Sequence, residues 1–530
     1  MKTMKIKYLI AAVLLLFSIA SCEKFLDTTP DNRATVDSEE KVVSLLGSAY
    51  SENDHILIAE FYSDNVDNYS VQYRNTNRFY DSIYEWSEME ESNNESTERI
   101  WGSYYSAIAS ANQAIASIEQ LGGPKSLKLS QALGEALLCR AYSHFVLVNM
   151  FCLQYNQKTS STDLGIPYME ESETTLKPEY KRGNVADVYA KIDADLQKGL
   201  PLVGDNNYTV PKYHFNQLAA YAFAARFYLF YEKYDKAVEY ADLCLGSAPA
   251  TMLRDYDVLG TMPNGSPQQQ PTTLHYVDPA VNANLLLFTA YSQLGQAFGG
   301  YGTANMYSHG AYLAENEDCQ AAQPWGTSAY KDAPSKYTGS LDRVIFWRCP
   351  RIFQYTDPVA GIGYIRTVYP ALSTDECLLN RAEAYIHLGQ YEKACEDINL
   401  WVHNCNNSTV VLTPDAIKEF YDGIKYWEWN AATVKKHIRP VFGEVTEGSL
   451  EEAMYQCILA CKRVESLGLG QRWFDVKRFG IEIHRRSMNL EGKPETLTDS
   501  MPLDDPRRAM QLPPKVIAAG IQPNPRNPKK

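Results

Sequence analysis

The chain has 530 residues, 45% of them hydrophobic, which suffices for a large core in several domains or in one long helical array. Its formal charge is −14, with 64 acids against 50 bases. A body this acidic argues against nucleic acid as a partner and against electrostatic docking on anionic lipid. The 37 Tyr and 8 Trp are flat apolar faces with polar edges, which suits sugars and helix packing alike.

In chain order, Lys2, Lys5 and Lys7 precede a short apolar run from Ile10 to Phe17, and small residues lead to Cys22. The run falls well short of the ~20 residues of a spanning helix, so residues 1–21 read as a signal peptide. Ile19-Ala20-Ser21-Cys22 resembles the bacterial lipobox, in which the cysteine is lipidated and becomes the new N-terminus. Acyl chains on Cys22 would tether the body to a membrane, and nothing else in the sequence would, each buried CH₂ contributing about 0.8 kcal/mol. Losing the three leader lysines brings the mature charge to about −17. The other ten cysteines show no framework spacing, and most read as small buried hydrophobes.

Ser38 reads as the cap of a helix carrying Val42, Val43, Leu45, Leu46 and Tyr50. Residues 51–96 are rich in Asp, Asn, Ser and Tyr without a helical period, and read as loops with at most one short helix. From Thr97, Trp101, Tyr104, Ile108, Ala111, Ile115 and Ile118 fall on one helix face, and Gly122-Gly123-Pro124 stops it. A second helix is predicted from about Ser130 to Cys152, with Leu133, Leu137, Ala141, Phe145 and Val148 on one stripe. Asn184 caps a third, carrying Val188, Ile192, Leu196 and Leu200.

Residues 225–237 and 382–394 form an internal repeat. Ala225, Tyr228, Tyr234, Lys236 and Ala237 match Ala382, Tyr385, Tyr391, Lys393 and Ala394, each 157 positions on. Small residue, aromatic, tight turn and contact Ala make the tetratricopeptide pattern. Such repeats cannot bury their faces alone. Helices at 97–121 with 130–152, and at 414–429 with 449–467, are expected to stack beside them. From about Gly246 to Ser373 the chain is dense in Gly, Pro, Asn, Gln and Tyr. That is too long for an idle connection, and loops on a rigid scaffold are where binding residues gather. The expected fold is mainly α: a tetratricopeptide-like helix-pair array with a loop-rich ligand-binding region packed on it. Its expected parts are a leader at 1–21, helical repeats at about 97–247 and 373–468, loop-rich segments at about 51–96 and 248–372, and a C-terminal segment at about 469–530.

Several pieces together resemble the SusD/RagB family of outer-membrane nutrient-binding lipoproteins of Bacteroidetes. They are Phe25-Leu26-Asp27 after Cys22, Glu135-Ala136 with Arg140-Ala141 and Phe145, then Gly165-Ile166-Pro167, and Arg381 to Tyr385. Arg472-Trp473-Phe474-Asp475 with Arg478, Leu512-Pro513-Pro514 and Asn524-Pro525 complete the series. Cys461-Lys462-Arg463-Val464-Glu465 and the terminal Lys529-Lys530 depart from the family pattern. The resemblance implies four helix pairs, a SusC-type TonB-dependent transporter as partner facing the repeats, and a ligand held on the loop-rich side. It implies capture of a glycan at the cell surface, without chemistry on it; peptide is the alternative ligand.

Zincin, nucleophile-elbow and Walker A signatures are missing from the sequence. Gly361-x-Gly363-x-x-Arg366 is a near miss to a dinucleotide loop, and no cofactor is expected. Cys457 with Cys461, and His403-x-Cys405, read as packing, so no metal site is expected. Asp64-Asn65-x-Asp67-Asn68 lacks calcium-loop spacing and reads as a turn or cap. A helical glycoside hydrolase stays as a third reading, because a carboxylate pair is a spatial signature. For ligand contacts, Tyr73, Arg74, Asn75, Tyr80, Tyr84 and Trp86 offer aromatic planes and polar edges in the early loop. Tyr291, Tyr301, Tyr307, Trp325 and Tyr330 offer them in the long insert. Trp86 and Trp325 rank first, as tryptophans in polar surroundings; Trp101, Trp401 and Trp473 are assigned to structure.

Overall fold

The computed structural model describes residues 36–72, 77–91, 93–172, 179–262, 271–299, 306–332, 335–337 and 343–527. Cys22 with the leader, and Tyr73, Arg74, Asn75 and Tyr301, lie outside them. The longer helices are α1 (Glu39–Leu46), α2 (Ile56–Tyr62), α3 (Arg78–Tyr84), α4 (Thr97–Gln120), α5 (Leu127–Phe151), α6 (Val185–Gly199), α7 (Gln217–Phe230) and α8 (Tyr234–Leu245). After the insert come α9 (Thr374–His387), α10 (Tyr391–Cys405), α11 (Pro414–Asp422), α12 (Leu450–Glu465), α13 (Arg472–Arg478) and the short α14 (Pro514–Ala518). The strands are β1 (Asp67–Asn68), β2 (Asn284–Tyr291), β3 (Tyr307–Ser308), β4 (Ala322–Gln323), β5 (Gly326–Thr327), β6 (Ser335–Tyr337), β7 (Arg343–Ile345), β8 (Ile352–Asp357), β9 (Ile362–Ser373), β10 (Ile483–Met488) and β11 (Pro494–Met501).

The fold is mainly helical, and antiparallel helix pairs carry it. Their starts are written in the sequence. Asn184 Oδ1 accepts from Asp187 N at 2.8 Å, Ser126 Oγ from Leu129 N at 3.1 Å, and Thr413 Oγ1 from Ala416 N at 3.2 Å. Each satisfies an orphan helix donor and is worth about 1 kcal/mol. α4 ends at Gly122 and Gly123, both in the left-handed region at φ 94 and 91.

The two repeats become α7–α8 and α9–α10. Ala225, Ala237, Ala382 and Ala394 are fully buried where helices touch. Arg226 Nε donates to Glu376 Oε1 at 2.6 Å and ties α7 to α9. Arg381 grips Asp397 with two bonds of 2.8 and 2.6 Å and ties α9 to α10. The turns match as well: Glu232 and Gly389, again 157 apart, both stand left-handed, at φ 59 and 68.

Three elements depart from the sequence reading. α5 is not a one-stripe helix, since everything from Gly134 to Phe151 is buried, including Glu135, Arg140, His144 and Asn149. Partners make this affordable. Glu135 accepts from the hydroxyls of Tyr50 (2.7 Å) and Tyr208 (2.8 Å), and Arg140 pairs with Asp195 of α6 at 2.7 and 2.6 Å. The 51–96 segment holds two helices rather than at most one, because α2 is buried at every position and so shows no period. α11 ends at Gly423, short of the expected 429.

The strands fasten the loop-rich segments down. One sheet runs β11-β10-β1-β3 and a second β2-β9-β8; β4-β5 and β6-β7 are small hairpins. Beneath them lies a buried ion network. Asp64 meets Arg472 at 2.8 Å, Asp67 meets Arg486 at 2.9 Å, and Glu317 meets Arg486 at 2.7 Å and Lys436 at 2.8 Å. Burial pushes the Asp64 carboxyl up, but Arg463, Arg472 and Lys436 outweigh it and hold it well below the usual range. This corrects the turn-or-cap reading of Asp64 and Asp67; only Asn68, accepting from Ser70 N at 2.8 Å, makes a turn. The late Arg-Trp motif is α13: Arg472 joins this network, and Arg478 pairs with Glu383 of α9. All ten cysteines among the described residues are buried and unpaired.

Candidate functional site

α4 carries Gly102, Ser103, Ser106 and Ser110 along the side turned away from its core stripe. With so little bulk there, the neighbouring segments stand off and a groove remains. Its cavity is about 630 Å³, with residues 47–53 on one wall and Pro513, Lys515 and Val516 on the other. A second cavity of about 500 Å³ shares Trp101 and Ser110 with it and continues along α4 past Tyr105, Asn112 and Gln113.

Ser103 fixes the first wall. Its hydroxyl oxygen accepts from Glu52 N at 2.8 Å and Asn53 N at 3.1 Å. Asn53 Nδ2 reaches Asn94 O at 2.9 Å, and Tyr291 N donates to Glu52 O at 2.8 Å. The end of β2 is thereby bound to the groove rim. On that rim the Arg366 guanidinium lies 3.9 Å over the Tyr291 ring, and Tyr364 meets Tyr291 edge-on at 5.4 Å. Tyr364 is 53% exposed. Across the groove Glu98 is paired with Lys515 at 2.6 Å. The Trp101 ring packs against Tyr105 and Phe151 at 4.9 and 5.1 Å and forms floor. Below it the Tyr50 hydroxyl is pushed far above its usual range by burial, with Cys139 and Glu135 adding to the shift. It stays a neutral donor to Glu135. Carboxylate, amide, guanidinium and hydroxyl groups thus line a groove beside a rim that carries the exposed ring of Tyr364. That chemistry pairs with hydroxyl-rich ligands.

The highest-ranked tryptophans are elsewhere, and both are buried. Trp86 is 4% exposed: its indole N–H donates to Tyr62 O at 3.2 Å, and the Arg485 and Arg507 guanidiniums lie 4.0 and 5.2 Å over its ring. It edges a cavity of about 270 Å³ with Arg507 and Arg526, but offers no open face. Its backbone sits at φ 53, a left-handed conformation that costs a bulky residue energy. Trp325 is also 4% exposed and packs edge-on against Trp401 at 5.7 Å. Tyr307 is buried too, stacked on Tyr84 at 4.4 Å with its hydroxyl donating to Asp81 at 2.7 Å. Trp86 and Tyr307 meet one cluster around Tyr84 and Arg485, while Trp325 stands apart. Polar neighbours in sequence did not mean exposure, because distant helices and strands cover these rings. Tyr73, Arg74, Asn75 and Tyr301 lie outside the described residues.

Sequence reasoning missed Glu52, Asn53 and Arg99, which line the groove, and Tyr364 on its rim, and assigned Trp101 to structure alone. The available signal was the Gly102, Ser106, Ser110 spacing of four, opposite the apolar stripe. Among the described residues no three His, Cys, Asp or Glu side chains converge as a metal-ligand set, and no helix is long and apolar enough to cross a membrane.

Two family models match the chain. Residues 24–229 match one described as starch-binding associating with outer membrane, and residues 302–507 match the SusD family model. A SusD superfamily protein of Bacteroides thetaiotaomicron is 18% identical, with a TM-score of 0.61, covering 93% of this chain and 100% of its own. A putative sugar binding protein of Bacteroides vulgatus is 16% identical, with a TM-score of 0.62 and coverage of 93% and 99%. A SusD-like carbohydrate binding protein of the same species is 14% identical, with a TM-score of 0.60 and coverage of 91% and 95%. No curated protein gives a significant match. The two models span most of the chain between them, and the protein belongs to the SusD/RagB family, a family associated with the outer membrane.

Proposed function

We propose that the protein is a cell-surface lipoprotein, anchored through Cys22, that captures a glycan and hands it to a SusC-type TonB-dependent transporter. The glycan lies in the groove along α4 and stacks on Tyr364 beside it. The observation that carries this reading is the groove itself: about 630 Å³ of hydroxyl, amide and carboxylate lining beside the exposed ring of Tyr364. The sugar-binding and carbohydrate-binding descriptions of two structural relatives support the ligand class. The protein does no chemistry on its ligand. Glu98, one of the groove carboxylates, is committed to Lys515.

The test is calorimetry on residues 23–530, without the anchor, against plant, microbial and host glycans and a mixed peptide digest. Saturable heat with one glycan class is expected, weakened about tenfold or more in Tyr364→Ala, since losing one stacking plane removes ~1.4 kcal/mol or more. Binding to peptides alone would move the ligand to the other branch. Release of new reducing ends from a bound glycan would overturn the non-enzymatic reading.

A further inference from the structure

This chain satisfies its arginines. Among the described residues, every other buried or half-buried arginine side chain donates at least one hydrogen bond, to a carboxylate, an amide, a hydroxyl or a backbone carbonyl. Arg366 on β9 does not. It is half-buried, its Nε is buried without a partner, and its guanidinium enters no ion pair. A buried donor left in that state costs free energy until something completes it. The contact Arg366 does make is with the Tyr291 ring, 3.9 Å away. Stacking uses a face of the planar guanidinium and leaves its edge, where the N–H groups point, uncommitted.

The register sets Arg366 beside the exposed ring of the rim. It stands opposite Tyr291 on β2 and Ile352 on β8. Tyr364, two residues back along β9, shares its face of the sheet, about 7 Å away along the strand. A single sugar residue can lie on the one and reach the other. The charges nearby are mostly spent. Asp357 at the tip of the ribbon accepts from Val359 N and Ala360 N, both at 3.0 Å. In the groove Glu98 is paired with Lys515, while Arg99 is exposed and enters no ion pair. Glu52, whose backbone oxygen holds Tyr291 N, has an exposed carboxylate that makes no ion pair with Arg366. Groove and rim thus carry two uncommitted guanidiniums against one uncommitted carboxylate, in a chain whose formal charge is −14.

We propose that the glycan of this groove is acidic, and that Arg366 holds its anionic group, a uronic carboxylate or an ester sulfate, beside the sugar on Tyr364. The proposal rests on the glycan reading of the groove and adds its charge. Either anion presents oxygens to the open N–H fork and matches its charge. A neutral hydroxyl matches the donors one at a time and leaves the charge unanswered.

Calorimetry on the full, anchored chain in detergent tests this with two pairs of probes. One pair is oligogalacturonate and the same oligomer after carboxyl reduction; the other is a sulfated galactan and its desulfated form. The expected result is that the acid of one pair binds about tenfold or more tighter than its neutral twin; which pair does so tells carboxylate from sulfate. Arg366→Gln brings that ratio close to one. Arg366→Lys does not restore it, because the stacked, forked geometry is lost with the guanidinium. Glu52→Gln raises the ratio, by removing the competing carboxylate from the rim; a purely structural role for these residues would move neither ratio. Neutral twins that bind as tightly as the acids, an unchanged ratio in Arg366→Gln, or heat only with neutral glycans would overturn the proposal and leave the glycan reading standing. Heat with polyglutamate and with no glycan would overturn both.

Discussion

The helix pairs and the loop-rich segments are held together by different physics. Between α7, α8, α9 and α10 the contact points are mainly buried alanines, with the Arg226–Glu376 and Arg381–Asp397 pairs beside them, and most of the energy is apolar burial repeated in two similar units. Under the loop-rich segments the contact points are charges: Asp64, Asp67 and Glu317 against Lys436, Arg463, Arg472 and Arg486. The repeats tolerate local loss, because each meets only its neighbours. The ion network joins residues from 64 to 486, so a single loss there reaches several elements at once.

The largest expected effect follows from that difference. Glu317→Ala leaves Lys436, Arg463 and Arg486 buried with fewer partners and costs about 3–5 kcal/mol in denaturant unfolding. A loss below about 1 kcal/mol, the scale of an exposed pair, would show that water relieves those charges. Next is the repeat contact. Ala382→Leu forces bulk between packed helices and costs about 1–3 kcal/mol, read as a shift of the denaturant midpoint. The matched turns sharpen the comparison further. Glu232 holds the conformation that Gly389 holds without strain, so Glu232→Gly gains about 1 kcal/mol, while Gly389→Glu loses a similar amount.

Glu232 also makes stability depend on pH. Burial, which outweighs Arg478 nearby, pushes its carboxyl up from 4.5 to about 7. The folded chain therefore holds a proton that the unfolded chain has released, so this contribution is full below pH 4.5 and is lost as pH rises through about 7. Replacing Glu232 with Gln removes that part of the pH profile between those limits, measured as unfolding midpoints across the range. The smallest expected stability effect is that of Tyr364→Ala, within about 0.5 kcal/mol, because the ring stands exposed; its effect is reserved for ligand affinity.

The same division decides what could be read from the sequence. The caps at Asn184 and Thr413 and the 157-residue offset of the repeats are local signals, and the helices stand where they point. α2 and α5 escaped the periodic reading because burial on every side erases the period. The burial of Trp86 and Trp325 could not be read from their polar sequence neighbours, because their cover comes from afar: Arg485 and Arg507 for one, Trp401 for the other. The groove was half legible. The apolar stripe of α4 was read, while the serines and glycine opposite it appeared only as the plain side of a helix. The rim could not be read, because it needs Glu52, Tyr291 and Tyr364 brought together from three distant segments.

The central claim is that the α4 groove holds the ligand. The most direct test fills it. Ser106 is exposed on the groove side of α4, so Ser106→Trp occupies the cavity without entering the core. Calorimetry with the glycan that binds the unaltered protein should then show no saturable heat, with the unfolding midpoint unchanged. Binding at the original affinity with the groove filled would contradict the account.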